Sequence, residues 1–199
     1  MDPRFVQLSQ ALQQQPGRQL HLPGLELRDS AVLAPFVVRG EEPRLLFTLR
    51  PENFRRHAGQ VSFPGGVRDP DDATTLHTAL REMEEELGVP PSAVQVLGML
   101  DEIPTTSEFR VVPYVGLLDP RVELRPDAGE IAELLEVPVA DLLVPGLRRT
   151  EKRVFRGAEH DVYFYDAGRH TIWGATARIL SNLLAVIAGL PAWNGTRPA

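Results

Sequence analysis

The sequence predicts an α/β fold in which a mixed β-sheet is covered by helices. Three observations carry this reading. Strand and helix signals alternate irregularly, several strand pairs are joined by tight turn signals, and two segments have clear helical periodicity. A regular parallel repeat would alternate strictly, and this chain does not.

Taken in order, residues 5–15 (FVQLSQALQQQ) read as a short helix closed by Pro16-Gly17. Residues 31–39 and 44–50 read as strands joined across Gly40-Glu41-Glu42-Pro43. Residues 61–63 form a short strand that runs into Pro64-Gly65-Gly66. An Asp- and Pro-rich loop leads into a helix over 73–87, stopped by Gly88 and Pro90. Residues 94–100 and 110–118 read as strands, and 121–124 could pair with a neighbour. Residues 131–143 mix helix and strand signals and stay unassigned. A hairpin is expected across Gly157, from 154–156 to 162–165, and an amphipathic helix over 175–188, ended by Gly189. No repeat, low-complexity tract or linker divides the chain. Residues 1–199 therefore read as one domain, with 1–29 as an N-terminal helical extension.

Composition narrows the function classes. With 43% hydrophobic and 24% charged residues, a chain of 199 residues can bury a core without staples. There is no cysteine, which excludes disulfides, thiolate nucleophiles and zinc ribbons and agrees with a cytoplasmic location. No signal peptide or membrane span is expected. The net charge of −6, with Lys152 the single lysine, argues against a nucleic-acid scaffold. It leaves room for phosphate-bearing small molecules reached through a divalent metal. Oligomeric state stays open.

The most informative stretch is LREMEEELGV, residues 80–89. Leu80, Met83 and Leu87 share one helical face, expected to be buried. Glu82, Glu85 and Glu86 stand at i, i+3 and i+4 and converge elsewhere on the helix. Like charges so spaced cost roughly 0.2–0.5 kcal/mol per pair, and the C-terminal half of a helix disfavours negative charge. Arg81 can reach Glu85 at i+4, but a hard divalent cation compensates better, because magnesium takes oxygen ligands and bridges carboxylates to phosphates. An isolated acidic run is more often a solvated helix face. The upstream Phe63-Pro64-Gly65-Gly66 changes that balance, since paired glycines permit close backbone approach.

From Gly66 to Val89 the chain resembles the Nudix box: a glycine, a loop, a helix and the run R-E-U-x-E-E-x-G-U, with U aliphatic. Here the run is Arg81, Glu82, Met83, Glu84, Glu85, Glu86, Leu87, Gly88 and Val89. The interval from Gly66 to Arg81 is one residue longer than usual, so the loop carboxylate is open among Asp69, Asp71 and Asp72. Leu46-Phe47-Thr48-Leu49-Arg50, then Arg55, Gly59 and Phe63-Pro64-Gly65-Gly66, is similar to the signature of the coenzyme A pyrophosphatase branch, with Pro51 in place of a small residue. Trp173-Gly174-Ala175-Thr176 is also similar to that branch.

The resemblance implies an α/β/α sandwich with a mixed sheet. It implies Mg2+, with Mn2+ as an alternative, and hydrolysis of the diphosphate of coenzyme A to 3′,5′-ADP and 4′-phosphopantetheine. Glu82 and Glu86 would be metal ligands, with Glu85 a third ligand or the base that activates water. Arg81 would orient a site carboxylate. Glu130 is a loop candidate for the base, against the simpler reading of an acid at a helix start. Arg50 and Arg55 would contact substrate, and Gly65 and Gly66 would shape the loop holding helix and substrate. Arg56 and His57 read as exposed loop residues, His77 as a surface or packed residue, and Trp173 as core. Rival readings are a Nudix enzyme for ADP-ribose or a dinucleotide, a catalytically silent nucleotide-binding Nudix domain, and a structural calcium-binding helix.

Overall fold

The structure, a computed structural model, describes residues 2–21, 24, 26–52, 59–155 and 157–196. Its elements are α1 (Pro3–Gln14), β1 (Arg28–Arg39), β2 (Glu42–Leu49), β3 (Val61–Ser62), β4 (Gly65–Val67), α2 (Thr75–Leu87), β5 (Val94–Met99), β6 (Ile103–Pro104), β7 (Phe109–Leu118), β8 (Glu133–Pro138), α3 (Val139–Leu142), β9 (Arg148–Phe155), β10 (Ala158–Ala167), β11 (His170–Trp173) and α4 (Gly174–Ala188).

The main sheet runs β3-β2-β1-β7-β5, with β4 on β1, β6 on β7 and β8 on β2. Among the described residues only β1 and β7 pair in parallel and the other ladders are antiparallel, so the sheet is mixed. The long apolar run of β1 follows from burial on both faces. Ala31, Leu33 and Val37 point to α2, while Ala34 and Phe36 point to the layer of α1 and α4. β2 divides the same way, with Leu46 toward α2 and Leu45 and Phe47 toward the other layer. Helices on both faces of a mixed sheet make the expected α/β/α sandwich.

α1 is tightly integrated with the core. α1 is capped by Asp2, whose carboxylate accepts from Arg4 N at 2.9 Å. It buries Phe5, Leu8 and Leu12, and Phe5 meets Phe36 and Trp193 edge-on at 5.3 and 5.5 Å. Gly98 permits this approach, because a β-carbon there would lie 2.5 Å from that of Leu12. β1 itself begins at Arg28, inside the segment read as an extension.

Several sequence expectations change. Residues 121–124 form no strand; Val122 and Leu124 pack beneath α2 instead. The unassigned stretch 131–143 resolves into β8 followed by the short α3. β4 includes Gly65 and Gly66, which were expected at a strand end before a loop. The hairpin across Gly157 extends over β9 and β10, and β11 completes a second, three-stranded sheet.

Because Phe5 lies inside the shared core, Phe5→Ala is expected to cost about 3–5 kcal/mol in urea unfolding. A loss under about 1 kcal/mol would mean that α1 is not part of the cooperative unit.

Candidate active site

The site is built where α2 crosses β4. Thr74 caps α2, its hydroxyl accepting from His77 N at 3.2 Å, and Gly88 ends it at φ +67. The buried stripe of α2 is Ala79, Met83, Glu86 and Leu87, while Leu80 is only half-buried. The apolar face is therefore turned slightly from the one expected, and the turn carries Glu86 inward.

Two glycines make that seating possible. A β-carbon at Gly65 would lie 2.3 Å from Ala31 O, inside the backbone of β1. At Gly66 it would lie 2.2 Å from Glu82 Oε1. The helix carboxylates rest directly against bare backbone.

Glu86 is 4% exposed, and its Oε2 has no hydrogen-bond partner among the described residues. Burial pushes its carboxyl up to about 8, helped by the neighbouring charges of Glu82 and Glu130; Arg50 and the Gly65 backbone N–H act in the opposite sense. Burial also raises Glu82, against the pull of Arg81. Sequence reasoning placed Glu86 among the helix acids; its depth depends on β4 packing.

Arg81 organises the rest. Its guanidinium lies 3.1 Å from Asp72, 2.9 Å from Glu82 and 2.7 Å from Glu85. This settles which acid of the lengthened loop is built into the site. Asp72 is 3% exposed, accepts from Asp69 N at 3.0 Å and is held down to about 2 by Arg81. Asp71 is exposed, and Asp69 reaches Arg81 only at 3.9 Å. Arg68 secures the extra residue by donating to Asp72 O at 3.0 Å and Ala73 O at 3.3 Å.

Glu130 is exposed on a turn, and β8 follows it, so the helix-start explanation does not apply. The turn is pinned to the end of α2: Arg125 N donates to Leu87 O at 2.8 Å and Asp127 N to Glu86 O at 2.9 Å. Its charge is felt at both Glu82 and Glu86. Arg50 follows β2 and is felt at Glu86. Arg55, Arg56 and His57 lie outside the described residues. His77 is half-exposed, and its Nδ1 accepts from Ala73 N at 3.3 Å. Trp173, expected in the core, is 39% exposed and stacked on Phe164 at 6.4 Å.

Among the described residues no three or more His, Asp or Glu side chains are already gathered as a metal site. Arg81 engages Glu82 and Glu85 and turns them toward itself. The donor set nevertheless suits a hard cation: carboxylate oxygens only, one of them buried and unpartnered.

A mixed sheet with a carboxylate helix seated on a glycine strand defines a Nudix-type domain. The comparisons agree. The NUDIX domain model matches residues 27–157. The uncharacterized Nudix hydrolase NudL of Photorhabdus laumondii is 44% identical over 156 residues, covering 78% of this chain and 83% of the relative. NudL of Klebsiella pneumoniae is 37% identical, covering 94% and 95%. A crystal structure of a NUDIX hydrolase from Alicyclobacillus acidocaldarius shares the fold, with a TM-score of 0.50, 20% identity and coverage of 81% and 93%. The chain belongs to the Nudix hydrolase family, whose enzymes act on phosphoric anhydrides and generally use divalent metal ions. No helix among the described residues is long and apolar enough to cross a membrane.

Two outcomes follow. A carboxyl whose folded value is raised contributes stability that is complete below its unfolded value and lost as pH rises through the folded one. Without metal, Glu86 should thus cost stability between about pH 4.5 and about 8, on the order of a few kcal/mol. Metal binding needs the ionised form, so the Mg2+-induced rise in thermal midpoint should grow over that window. Glu86→Gln should flatten both trends; a flat wild-type profile in chelator would refute the assignment. For the loop, Asp72→Asn should cost about 1–3 kcal/mol, and Asp69→Asn less than about 0.5. Equal effects in denaturant titrations would return the loop acid to an open question.

Proposed function

We propose that the chain is a magnesium-dependent pyrophosphatase that hydrolyses the diphosphate linkage of coenzyme A to 3′,5′-ADP and 4′-phosphopantetheine. The observation that carries the chemistry is the buried, unpartnered oxygen of Glu86 beside Glu82. The substrate rests on the stretch from Leu46 to Gly66, which resembles the coenzyme A pyrophosphatase branch.

In this reading Glu82 and Glu86 hold the cation, with Glu85 available as a third ligand. When bound, the cation neutralises phosphate charge and makes a coordinated water more acidic. Arg81 keeps Asp72, Glu82 and Glu85 in register. Glu130 takes a proton from the attacking water at its carboxylate: it is exposed, its charge acts on Glu82 and Glu86, and it carries no ion pair among the described residues. Glu85 is the alternative acceptor and must first leave Arg81. Arg50, together with Arg55, contacts substrate phosphate, for which arginine forks are suited. Gly65 and Gly66 keep the wall beside the phosphates free of side chains.

The test is incubation with coenzyme A, ADP-ribose or NADH in Mg2+, with products separated by chromatography. The expected result is 3′,5′-ADP formed much faster than AMP from the other two. Glu86→Gln and chelator should each reduce turnover at least about a hundredfold, as expected when a charge-stabilising element is lost. Cleavage of ADP-ribose or NADH alone would overturn the coenzyme A reading.

A further inference from the structure

A basic turn in the second sheet has no part in the chemistry so far. Between β10 and β11 the chain reverses at Gly168 (φ +63) and presents Arg169 and His170. Arg169 Nη2 donates to Glu133 Oε2 at 2.6 Å, and His170 Nε2 lies 3.2 Å from the same oxygen. These contacts, the Arg169 hydrogen bond first, hold the Glu133 carboxyl below its ordinary range.

Glu133 places the turn. It opens β8 opposite Leu49 in the ladder with β2, one residue from Arg50 and three residues after Glu130. β11 also packs against β3, which precedes Phe63-Pro64-Gly65-Gly66. The turn therefore sits at the edge of the sheet from which Arg50 and Glu130 emerge.

The side chain is mounted for contact with something outside. Arg169 is 76% exposed. Its Nε donates to His170 at 3.1 Å and its Nη2 to Glu133, which leaves the Nη1 end unengaged among the described residues. Glu130, three residues before Glu133, is exposed, and its charge acts at Glu82 and Glu86. A divalent cation serves the scissile diphosphate there but not a further phosphate farther along the substrate. That group needs a cation of its own, and a guanidinium with one end fixed offers it at low entropic cost.

We propose that Arg169, held by Glu133 beside His170, is a subsite for a phosphomonoester that the substrate carries beyond its scissile diphosphate. The inference rests on the coenzyme A reading above and names the residue that recognises the 3′-phosphate.

The experiment compares coenzyme A with its form lacking the 3′-phosphate as substrates, and 3′,5′-ADP with AMP as calorimetric ligands. Wild type should prefer the 3′-phosphorylated member of each pair. Arg169→Ala should narrow both ratios by about tenfold, mainly through KM, and Arg169→Lys should keep part of the preference. A substitution at so exposed a position should leave the thermal midpoint nearly unmoved. Ratios unaltered by Arg169→Ala overturn the subsite, as does a wild type that ignores the 3′-phosphate while still cleaving coenzyme A. Failure to cleave either coenzyme defeats the functional reading instead, and the 3′,5′-ADP to AMP ratio then decides the subsite alone.

Discussion

Everything at the site depends on how closely α2 lies against the backbone of β4 and β1. Gly65 and Gly66 allow that distance, because neither position has room for a β-carbon. The consequence is electrostatic. Burying an ionised carboxylate without a partner costs several kcal/mol, and a group so placed responds by holding its proton. Glu86 is shifted in that direction by its burial, and its Oε2 is left without a hydrogen-bond partner among the described residues. Under the proposed function, a cation held there would relieve an unfavourable state already present.

Arg81 prevents the remaining acids from repelling one another apart. One guanidinium serves Asp72, Glu82 and Glu85. Of these, the contact with buried Asp72 matters most to structure, because Glu85 is largely exposed and a solvated ion pair is worth little. Arg68 extends the support to the carbonyls of Asp72 and Ala73, and approaches Asp29 at 3.6 Å. Asp29 in turn meets Arg110 at 2.8 Å. The loop thus keeps its extra residue without releasing the start of the helix.

The chain outside the matched domain completes the opposite layer of the sandwich. α1, α4 and Trp193 fill the sheet face away from α2, with Trp193 Nε1 donating to Arg4 O at 3.0 Å. The outer face of the second sheet gathers Phe164, Trp173, Arg149 and Arg153, with the two guanidinium groups 5.2 and 5.5 Å from the Phe164 ring. Trp173 is exposed because residues on alternate sides of β11 have different surroundings: Ile172 enters the core and Trp173 faces outward.

Periodicity and turn residues were enough to place both long helices, the major strands and the acid-bearing face, since these are set by contacts within a few residues. The run from Arg81 to Val89 also carried the family in its spacing. What local spacing cannot encode is depth and distant partnership. Leu80 is less buried and Glu86 more buried than expected, because the packing of α2 on β4 selects the stripe of the helix that faces inward. Asp72 was indistinguishable from Asp69 and Asp71 until Arg81 folded over it. Residues 121–124 had strand-like composition but pack against the α2 layer without a ladder, and Glu130 gained meaning only when the carbonyls ending α2 captured the preceding loop. The sequence by itself determined the types of most elements, the paired glycines before the loop and the carboxylate helix, because these depend on backbone preference and side-chain period. Tertiary structure alone decided which carboxylate is buried, which loop acid is paired and which turn is pinned to the end of α2, because these depend on desolvation and contacts between residues far apart in the chain.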